Sequence, residues 1–369
     1  MVGHYDVAAF IWPAYHHDPR MEDIWTEGDG EWMTVRNAKP RFDGHNQPRV
    51  PLLGYQDEAD PGVMGQHAEL ALEHGVNVFI MDWYWYEDSP FLERQLNEGL
   101  MPAIKGTGMK FYLMWANHDA GLTWDPTTDD TDIFWRGAVD RETFERIARR
   151  WIESYFSHDN YYKIDGCPVL CLYDLPVFVD GLGGIDEAKR ALSWFRTEVK
   201  EAGYPGLHLQ NTYMGHIPGD ILSICPDLEI GPSGAVNAIG FDSVTRYQWV
   251  HVAGAQDREY SEWGEIGVDD WDSMVKRFGG VVPHVSVGWD NNPRFPTYRE
   301  IVRDESPELF EGFLRRAKGF LDTHPEQHRL VTVNSWNEWT EGSYLLPDER
   351  SGYGFLEAVK AVFGDTSET

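Results

Sequence analysis

The chain has 369 residues, of which 42% are hydrophobic, and its formal net charge is −30. The apolar fraction suffices for a large buried core and excludes a disordered or fibrous chain. The negative charge would repel nucleic acid and anionic lipid, and no apolar run approaches the roughly 20 residues that span a bilayer. We therefore expect a soluble globular protein without nucleic-acid partners or membrane insertion.

Short apolar segments bounded by glycine, proline or polar residues recur along the chain and predict eight β-strands. They are Val7–Trp12, Asn77–Trp83, Met109–Trp115, Pro168–Tyr173, Leu207–Asn211, Ala238–Tyr247, Val281–Trp289 and Leu330–Trp336. Continuous apolar runs of this length are typical of strands buried on both faces, as in parallel sheets.

Amphipathic segments of helical period lie between most of these strands. They are Pro61–His74, Pro90–Lys105, Arg141–Phe156, Ile185–Ala202, Asp269–Phe278 and Pro307–His324. Asp60-Pro61 and Ser89-Pro90 predict helix starts, because a capping side chain followed by proline suits the first turn. Eight alternating strands and helices predict a closed (β/α)8 TIM barrel, and no glycine-rich dinucleotide fingerprint favours an open sheet.

The connection between the first two strands is long. Its first part, up to Pro51, is rich in glycine, proline, tryptophan and charge, and we expect a large loop on the top face of the barrel. Nothing resembles an interdomain linker, so we predict one domain over residues 1–369 with a frayed tail after about residue 364. The N-terminus lacks the basic and apolar regions of a signal peptide, so a cytoplasmic location is expected unless the chain has been trimmed.

The C-terminal ends of the strands carry the chemistry of (β/α)8 barrels, and here they combine aromatic with polar residues. Aromatic rings suit the apolar faces of sugars, whereas neutral and anionic groups suit their hydroxyls. The pattern predicts a carbohydrate ligand. The candidate substrate-binding residues are Tyr15, His16, Asp82, Trp83, Tyr84, Trp115, Asn117, His118, Gln210, Asn211, Tyr247, Trp289, Asp290, Asn337 and Trp339.

Glu338 and Glu341 follow the last predicted strand and are the candidate catalytic residues. Glycoside hydrolysis commonly uses two carboxyl groups, and residues three apart share a face in a tight turn. The alternative is that the two glutamates cap the last helix. His16-His17 and His118-Asp119 supply metal-ligand types but lack a helical ligand spacing, so we predict neither a metal nor another cofactor.

The segment Asn337-Glu338-Trp339-Thr340-Glu341-Gly342 resembles the N-E-W-x-E-G signature of the glycoside hydrolase family 99 endo-α-mannosidases. Further segments resemble the family 99-like group, which is also described as WbsX-like glycosyltransferases. They are Asn37–Phe42, Met114–Asp119, Tyr155–His158 and Tyr161–Gly166. The resemblance covers roughly Val7 to Phe363.

This resemblance implies a (β/α)8 barrel and a retaining mechanism in which the substrate's own 2-hydroxyl attacks the anomeric carbon, giving a 1,2-anhydro sugar. It implies that Glu338 assists the 2-hydroxyl, that Glu341 is the general acid/base, and that Tyr15 and Trp83 contact the sugar. The family signature has histidine where this chain has Thr340. The chemistry can therefore carry over without the mannose specificity.

Two other functions stay open on the sequence. A glycosyltransferase of surface-polysaccharide assembly would need a nucleotide-sugar site, and the D-x-D in Asp129-Asp130-Thr131-Asp132 lies in a polar segment typical of a solvated loop. A non-catalytic carbohydrate-binding barrel would use the two glutamates as helix caps.

Overall fold

The computed structural model describes residues 4–214 and 232–364. Its central sheet contains eight parallel strands: β1 (Asp6–Ile11), β2 (Val78–Tyr86), β3 (Lys110–Trp115), β4 (Cys167–Leu172), β5 (His208–Thr212), β6 (Ser243–Thr245), β7 (His284–Ser286) and β8 (Leu330–Asn334). Strands β1 to β6 pair in sequence order, β7 pairs with β8, and β8 pairs with β1. A parallel bridge between Val244 and Val281 joins β6 to the segment before β7. The predicted (β/α)8 barrel is confirmed.

Helices surround the sheet. The longer ones are Pro61–Glu73, Arg141–Trp151, Leu175–Leu182, Ile185–Glu201, Pro232–Ile239, Tyr260–Val268, Trp271–Phe278, Pro307–Thr323 and Gly354–Phe363. Shorter helical segments are Pro19–Met21, Trp32–Asn37, Gln95–Leu100, Met101–Ala103, Leu122–Trp124, Ile152–Phe156, Val250–Ala253, Asn292–Arg294 and Trp339–Glu341. Asp60 caps the helix that begins at Pro61, as the sequence predicts, because its carboxylate accepts hydrogen bonds from the first free N–H groups.

Short strands extend the barrel at several edges. Ser89–Phe91 pairs with β2 and Lys163–Ile164 with β4, while three further pairs lie in loops. Those pairs are Ala120–Gly121 with Ile133–Trp135, Arg258–Glu259 with Val302–Arg303, and Asn337–Glu338 with Ser343–Tyr344.

Two predicted elements are wrong at their start. Ser89-Pro90 begins a short antiparallel strand instead of a helix, and the helical turns start only at Gln95. Ala238 lies in the last turn of the helix Pro232–Ile239, and the sixth strand starts at Ser243. An apolar run alone does not separate the end of a buried helix from the start of a strand.

Both faces of the strands are buried, as the continuous apolar runs predict. On the axial face, Tyr112 of β3 donates a hydrogen bond of 3.0 Å to Gln210 of β5. On the outer face, Trp115 packs against Phe144 of a surrounding helix at a ring-centroid distance of 6.1 Å. Side chains of a strand alternate between these two faces, which decides which strand-end residues can reach a central site.

The long segment between β1 and β2 folds over the C-terminal ends of the strands. Its helix Trp32–Asn37 contacts the short helical turns Asn292–Arg294 and Trp339–Glu341 that follow β7 and β8. The expected top-face loop is therefore present, and it delivers Glu31, which is fully buried, to this end of the barrel.

The single-domain assignment stays a prediction, and the tail after residue 364 lies outside the described residues. Within residues 4–214 and 232–364, no helix is both long enough and apolar enough to cross a membrane.

Candidate active site

A cavity of about 360 Å³ opens at the C-terminal ends of the barrel strands. The predicted site residues that line it are Asp82, Tyr84, His118, Tyr247, Glu338 and Glu341. The other lining residues are Trp12, Met114, Ala116, Thr123, Trp124, Tyr173, Asp174, Met214, Asn291, Arg294 and Phe295. The structure thus brings both candidate catalytic glutamates into one cavity with four of the predicted binding residues.

The two glutamates lie on a compact turn after β8. One helical turn, Trp339–Glu341, connects two short antiparallel strands, and this geometry places residues three apart on the same face. Gly342 closes the turn with a φ of 64°, where a Cβ atom would lie 2.6 Å from an Arg49 nitrogen. Glycine is required there for both its conformation and its size.

Tyr247 connects Glu338 to a third acidic residue. Its hydroxyl lies 2.9 Å from Glu338 Oε2 and 3.0 Å from Asp82 Oδ2. A phenol has one proton to donate, so it can donate to only one of these carboxyl groups at a time. Burial raises the pKa of Asp82 well above its ordinary value, and the charge of Glu338 raises it further. The three groups therefore form a hydrogen-bonded chain that favours a proton on Asp82.

Arg294 supplies the positive charge of the site. Its Nη1 donates a hydrogen bond of 2.7 Å to Glu341 Oε1, and its Nη2 lies 3.7 Å from Glu338 Oε1. Arg294 is the only arginine or lysine among the described residues that line the cavity. One guanidinium therefore faces both candidate catalytic carboxyl groups.

The environments of the two glutamates differ in a way that separates their protonation. Burial and the charge of Glu338 raise the pKa of Glu341 well above its ordinary value, although Arg294 opposes this. Burial also raises the pKa of Glu338, but the charge of Arg294 and the hydrogen bond from Tyr247 counteract it. These influences favour the proton on Glu341 and the negative charge on Glu338.

Aromatic side chains form much of the cavity wall. The Trp12 ring lies 5.7 Å from Tyr84 in an edge-to-face contact and 5.6 Å from Trp124. His118 lies beside them, 6.2 Å from Trp124, and burial lowers its pKa so that the ring is neutral. Flat apolar faces next to hydrogen-bonding groups suit a sugar ring.

Trp83 and Trp115 lie on the outer face of the sheet and not in the cavity. The Trp83 indole donates a hydrogen bond of 2.8 Å to Glu93, and both rings pack edge-to-face on Trp151. Their neighbours on the strands, such as Asp82, point the other way. Strand alternation therefore separates residues that the sequence analysis grouped together.

Three predicted residues stabilise the turn Trp339–Glu341 from outside the cavity. Tyr15 accepts a hydrogen bond of 3.0 Å from the Trp339 backbone N–H, and Trp339 stacks on Tyr344 at 3.9 Å. Asn337 donates a hydrogen bond of 2.7 Å to Glu58 and exchanges two more with the Trp12 backbone. These positions support the turn without lining the cavity.

Six further predicted residues lie outside the cavity lining and contact other parts of the fold. Gln210 accepts from Tyr112 in the barrel, whereas Asn211 and Asn117 donate to the backbone carbonyls of Leu172 and Asp174. The other three are His16, Trp289 and Asp290. The His16 ring contacts its neighbour's carbonyl, Trp289 is half-buried, and Asp290 accepts hydrogen bonds from His45 and Gln47.

The comparison with protein families decides the identity of the chain. The family model described as glycosyltransferase WbsX matches residues 7–359. The chain belongs to the WbsX family. Two curated relatives, both called uncharacterized protein WxcX and from two strains of Xanthomonas campestris pv. campestris, are 30% identical over 362 residues. The match covers 96% of this chain and 49% of each relative, so the chain spans about half the length of the curated relatives it matches.

Solved structures with the same fold include glycoside hydrolases. The endo-α-mannosidase of family 99 from Bacteroides thetaiotaomicron is 14% identical, with a TM-score of 0.62 and coverage of 96% of this chain and 95% of that one. A glycoside hydrolase-like protein is 15% identical, with a TM-score of 0.63 and coverage of 99% and 96%. The predicted relationship between this WbsX-family chain and the family 99 fold is confirmed.

Arg294 and Trp124 are cavity residues of this WbsX-family chain that the sequence analysis missed. Arg294 follows the end of the predicted seventh strand by five residues, and Trp124 lies in the loop after β3. Neither position falls at a strand end. Trp12, by contrast, ends the predicted first strand and could have been found by the same criterion as Tyr84.

Proposed function

We propose that the protein is a retaining glycoside hydrolase that cleaves an oligo- or polysaccharide with participation of the substrate's 2-hydroxyl. The single observation that carries this proposal is the pair Glu338 and Glu341 in one buried cavity, with environments that favour a proton on Glu341. Two carboxyl groups with separated protonation are what acid/base cleavage of a glycosidic bond requires.

In the proposed first step, Glu341 donates its proton to the leaving oxygen as the bond from that oxygen to the anomeric carbon breaks. Glu338 takes the proton of the 2-hydroxyl, and the 2-oxygen bonds to the anomeric carbon to form the 1,2-anhydro sugar. In the second step, water attacks the anomeric carbon and gives a proton to Glu341. The bond between the anomeric carbon and the 2-oxygen breaks, and the 2-oxygen regains its proton from Glu338. Both glutamates return to their starting states, and two inversions retain the anomeric configuration.

The walls of the cavity support a sugar as the substrate. Trp12, Tyr84 and Trp124 offer flat apolar surfaces, whereas Asp82 and Asn291 offer hydrogen-bonding groups for hydroxyls. The negative charge of the cavity disfavours phosphate and other anionic ligands, because Arg294, the one guanidinium among the described lining residues, already contacts carboxylates. The substrate class that fits is a neutral glycan.

A glycosyltransferase is the second candidate, supported by the description of the WbsX family. The D-x-D segment does not favour it, because Asp129, Asp130 and Asp132 are exposed, and Asp129 accepts a hydrogen bond of 2.7 Å from Thr297. A non-catalytic carbohydrate-binding barrel is the third candidate. A binding protein of this kind would not need one protonated and one ionised glutamate in its cavity, so it does not account for the different environments of Glu341 and Glu338.

The test is a hydrolysis screen of α- and β-linked oligosaccharides with the wild type, Glu341→Gln, Glu338→Gln and the control Glu349→Gln, whose side chain is exposed. We expect sugar release with retained anomeric configuration by NMR, a loss of about 10²–10⁴-fold in both site variants, and no loss in the control. With an aryl glycoside whose leaving group needs no proton, Glu341→Gln should lose much less activity. Inverted products, or full activity of Glu341→Gln, would overturn the proposal. Transfer from a nucleotide sugar without hydrolysis would support the second candidate.

A further inference from the structure

Glu31 is a buried carboxylate that the proposed mechanism does not use. Its Oε1 accepts a hydrogen bond of 2.7 Å from Arg294 Nε, and its Oε2 accepts one of 3.2 Å from Arg294 Nη2. Oε2 also accepts from Trp12 Nε1 at 2.6 Å and from Thr340 Oγ1 at 2.9 Å. All four contacts use the carboxyl oxygens as acceptors, and two of the four donor atoms belong to the positively charged guanidinium of Arg294.

Glu31 and Glu341 contact different nitrogens of the same guanidinium, and Nη2 lies near both Glu31 and Glu338. Arg294 uses Nε and Nη2 for Glu31, and Nη1 for Glu341, while Glu31 itself does not line the cavity. Glu31 is fully buried, so water screens its charge poorly. Arg294 therefore shares its one positive charge among Glu31, Glu341 and Glu338.

We propose that Glu31 is a positioning residue that keeps one proton on the Glu338–Glu341 pair by occupying Arg294 from outside the cavity. The consequence for catalysis rests on the proposed function. The linkage between Glu31 and the protonation of the Glu338–Glu341 pair is a property of the folded protein and does not depend on it. Three carboxyl groups share one guanidinium, so a pair that is ionised on both members would leave two buried negative charges uncompensated. The pair avoids this by holding a proton.

Among the residues that the structure describes, the remaining groups around the pair do not supply a compensating cation. The titratable side chains of described residues that face it from the other strand ends are Tyr15, Asp82, Tyr84, His118, Tyr173, Asp174 and Tyr247. Burial raises the pKa values of the four tyrosines well above their ordinary value and lowers that of His118, so these five are neutral. The two aspartates can add only negative charge. The charge of Glu31 raises the pKa of both Glu338 and Glu341, in agreement with the geometry.

The test measures the protonation of the pair without any substrate. Protein labelled with ¹³C at the glutamate carboxyl carbon is titrated by NMR, and the signals of Glu338 and Glu341 are identified by their loss in Glu338→Gln and Glu341→Gln. In Glu31→Gln, Arg294 no longer shares its charge with Glu31, so its whole charge acts on Glu338 and Glu341. We therefore expect the Glu341 signal to titrate at a pH about one unit lower than in the wild type. Glu31→Asp keeps the charge and should stay close to the wild type. Glu27→Gln, which removes an exposed charge from the same loop, should cause no shift.

Two results would overturn the proposal. One is an unchanged titration of Glu341 in a folded Glu31→Gln protein. The other is the finding that both Glu338 and Glu341 of the wild type are ionised at pH 6, as exposed glutamates are. This second measurement keeps the proposal testable even if Glu31→Gln does not fold. If no glycan is hydrolysed but the shift is found, the proposed function fails and the linkage stands. If hydrolysis is found, the alkaline limb of its pH profile should move to lower pH in Glu31→Gln.

Discussion

The Thr340 hydroxyl donates a hydrogen bond of 2.9 Å to the carboxylate of Glu31. Thr340 lies between Glu338 and Glu341 in the turn after β8, and Glu31 lies in the long loop after β1. The residue at which this chain departs from the family 99 signature therefore joins the turn to the loop that covers it. The contact explains how a threonine is accommodated there.

Thr340→Val should lower the free energy of unfolding by about 1–2 kcal/mol, because one buried hydrogen bond to a charged group is lost while the volume is kept. Thr340→Ser, which retains the hydroxyl, should lose less. Urea denaturation of both variants beside the wild type measures the difference. Equal stability of the valine and serine variants would show that the hydrogen bond contributes nothing.

Tyr247→Phe should move the acidic limb of the pH–activity profile to higher pH. The hydroxyl of Tyr247 lowers the pKa of Glu338 by donating to it, so its loss makes Glu338 ionise later as the pH rises. Activity below neutrality should then fall more than activity above it. Tyr112→Phe removes a buried hydroxyl from the barrel interior and is the matched control. A parallel loss at every pH would contradict the prediction.

Trp124→Ala should raise the KM for a hydrolysed glycan by roughly tenfold, with a smaller effect on kcat, because the sugar loses a flat apolar surface that contacts it in the ground state and the transition state alike. Trp124 is buried and lines the cavity. Trp194→Ala is the control, since that half-buried ring packs on the arginines of a surrounding helix. Steady-state kinetics on the glycan found in the screen provide the measurement. A fall in kcat alone would argue against stacking of the sugar on this ring.

The free energy of unfolding should decrease as the pH falls from about 6.5 to 4, because His67 is protonated more readily in the unfolded chain than in the folded protein. Burial lowers the pKa of His67 to about 4, and its Nδ1 accepts a hydrogen bond of 3.3 Å from the Trp336 indole. The unfolded chain binds the proton first, so stability is complete above pH 6.5 and decreases by roughly 3 kcal/mol towards pH 4. Thermal unfolding against pH should show a shallower decline in His67→Gln than in the wild type. The exposed His4→Gln should retain the wild-type slope, and an identical slope in His67→Gln would refute the assignment.

The barrel could be predicted because its strands are buried on both faces. A run such as the β3 sequence from Phe111 to Trp115 has no polar alternation, and this is the pattern of a parallel sheet covered by helices. The sixth strand was misplaced because the helix before it ends in equally apolar residues. Hydrophobicity marks burial, but it does not specify the backbone conformation.

Glu338 and Glu341 could be located from the order of the strands. The positions of Arg294, which contacts both glutamates, and of Glu31, which contacts Arg294, could not. Asp82 and Trp83 are adjacent in sequence, yet only Asp82 lines the cavity, because successive side chains point to opposite faces of β2. Applying this alternation at each strand end would have excluded Trp83 and Trp115. Arg294 and Glu31 come from long loops, whose path depends on tertiary contacts and has no periodic signature.

The barrel is joined between β6 and β7 by the smallest number of backbone contacts. Strand β6 has three residues, and of these Val244 forms the junction with the segment before β7. Its amide donates a hydrogen bond to the Gly280 carbonyl, and its carbonyl accepts one from the Val282 amide. Brief separation along this seam would expose these two amides to hydrogen exchange sooner than those of β2 or β3. It would also carry Tyr247, which follows β6, away from Glu338, which follows β8. The hydrogen-exchange protection of the Val244 and Val282 amides should therefore report how long Tyr247 stays in contact with Glu338.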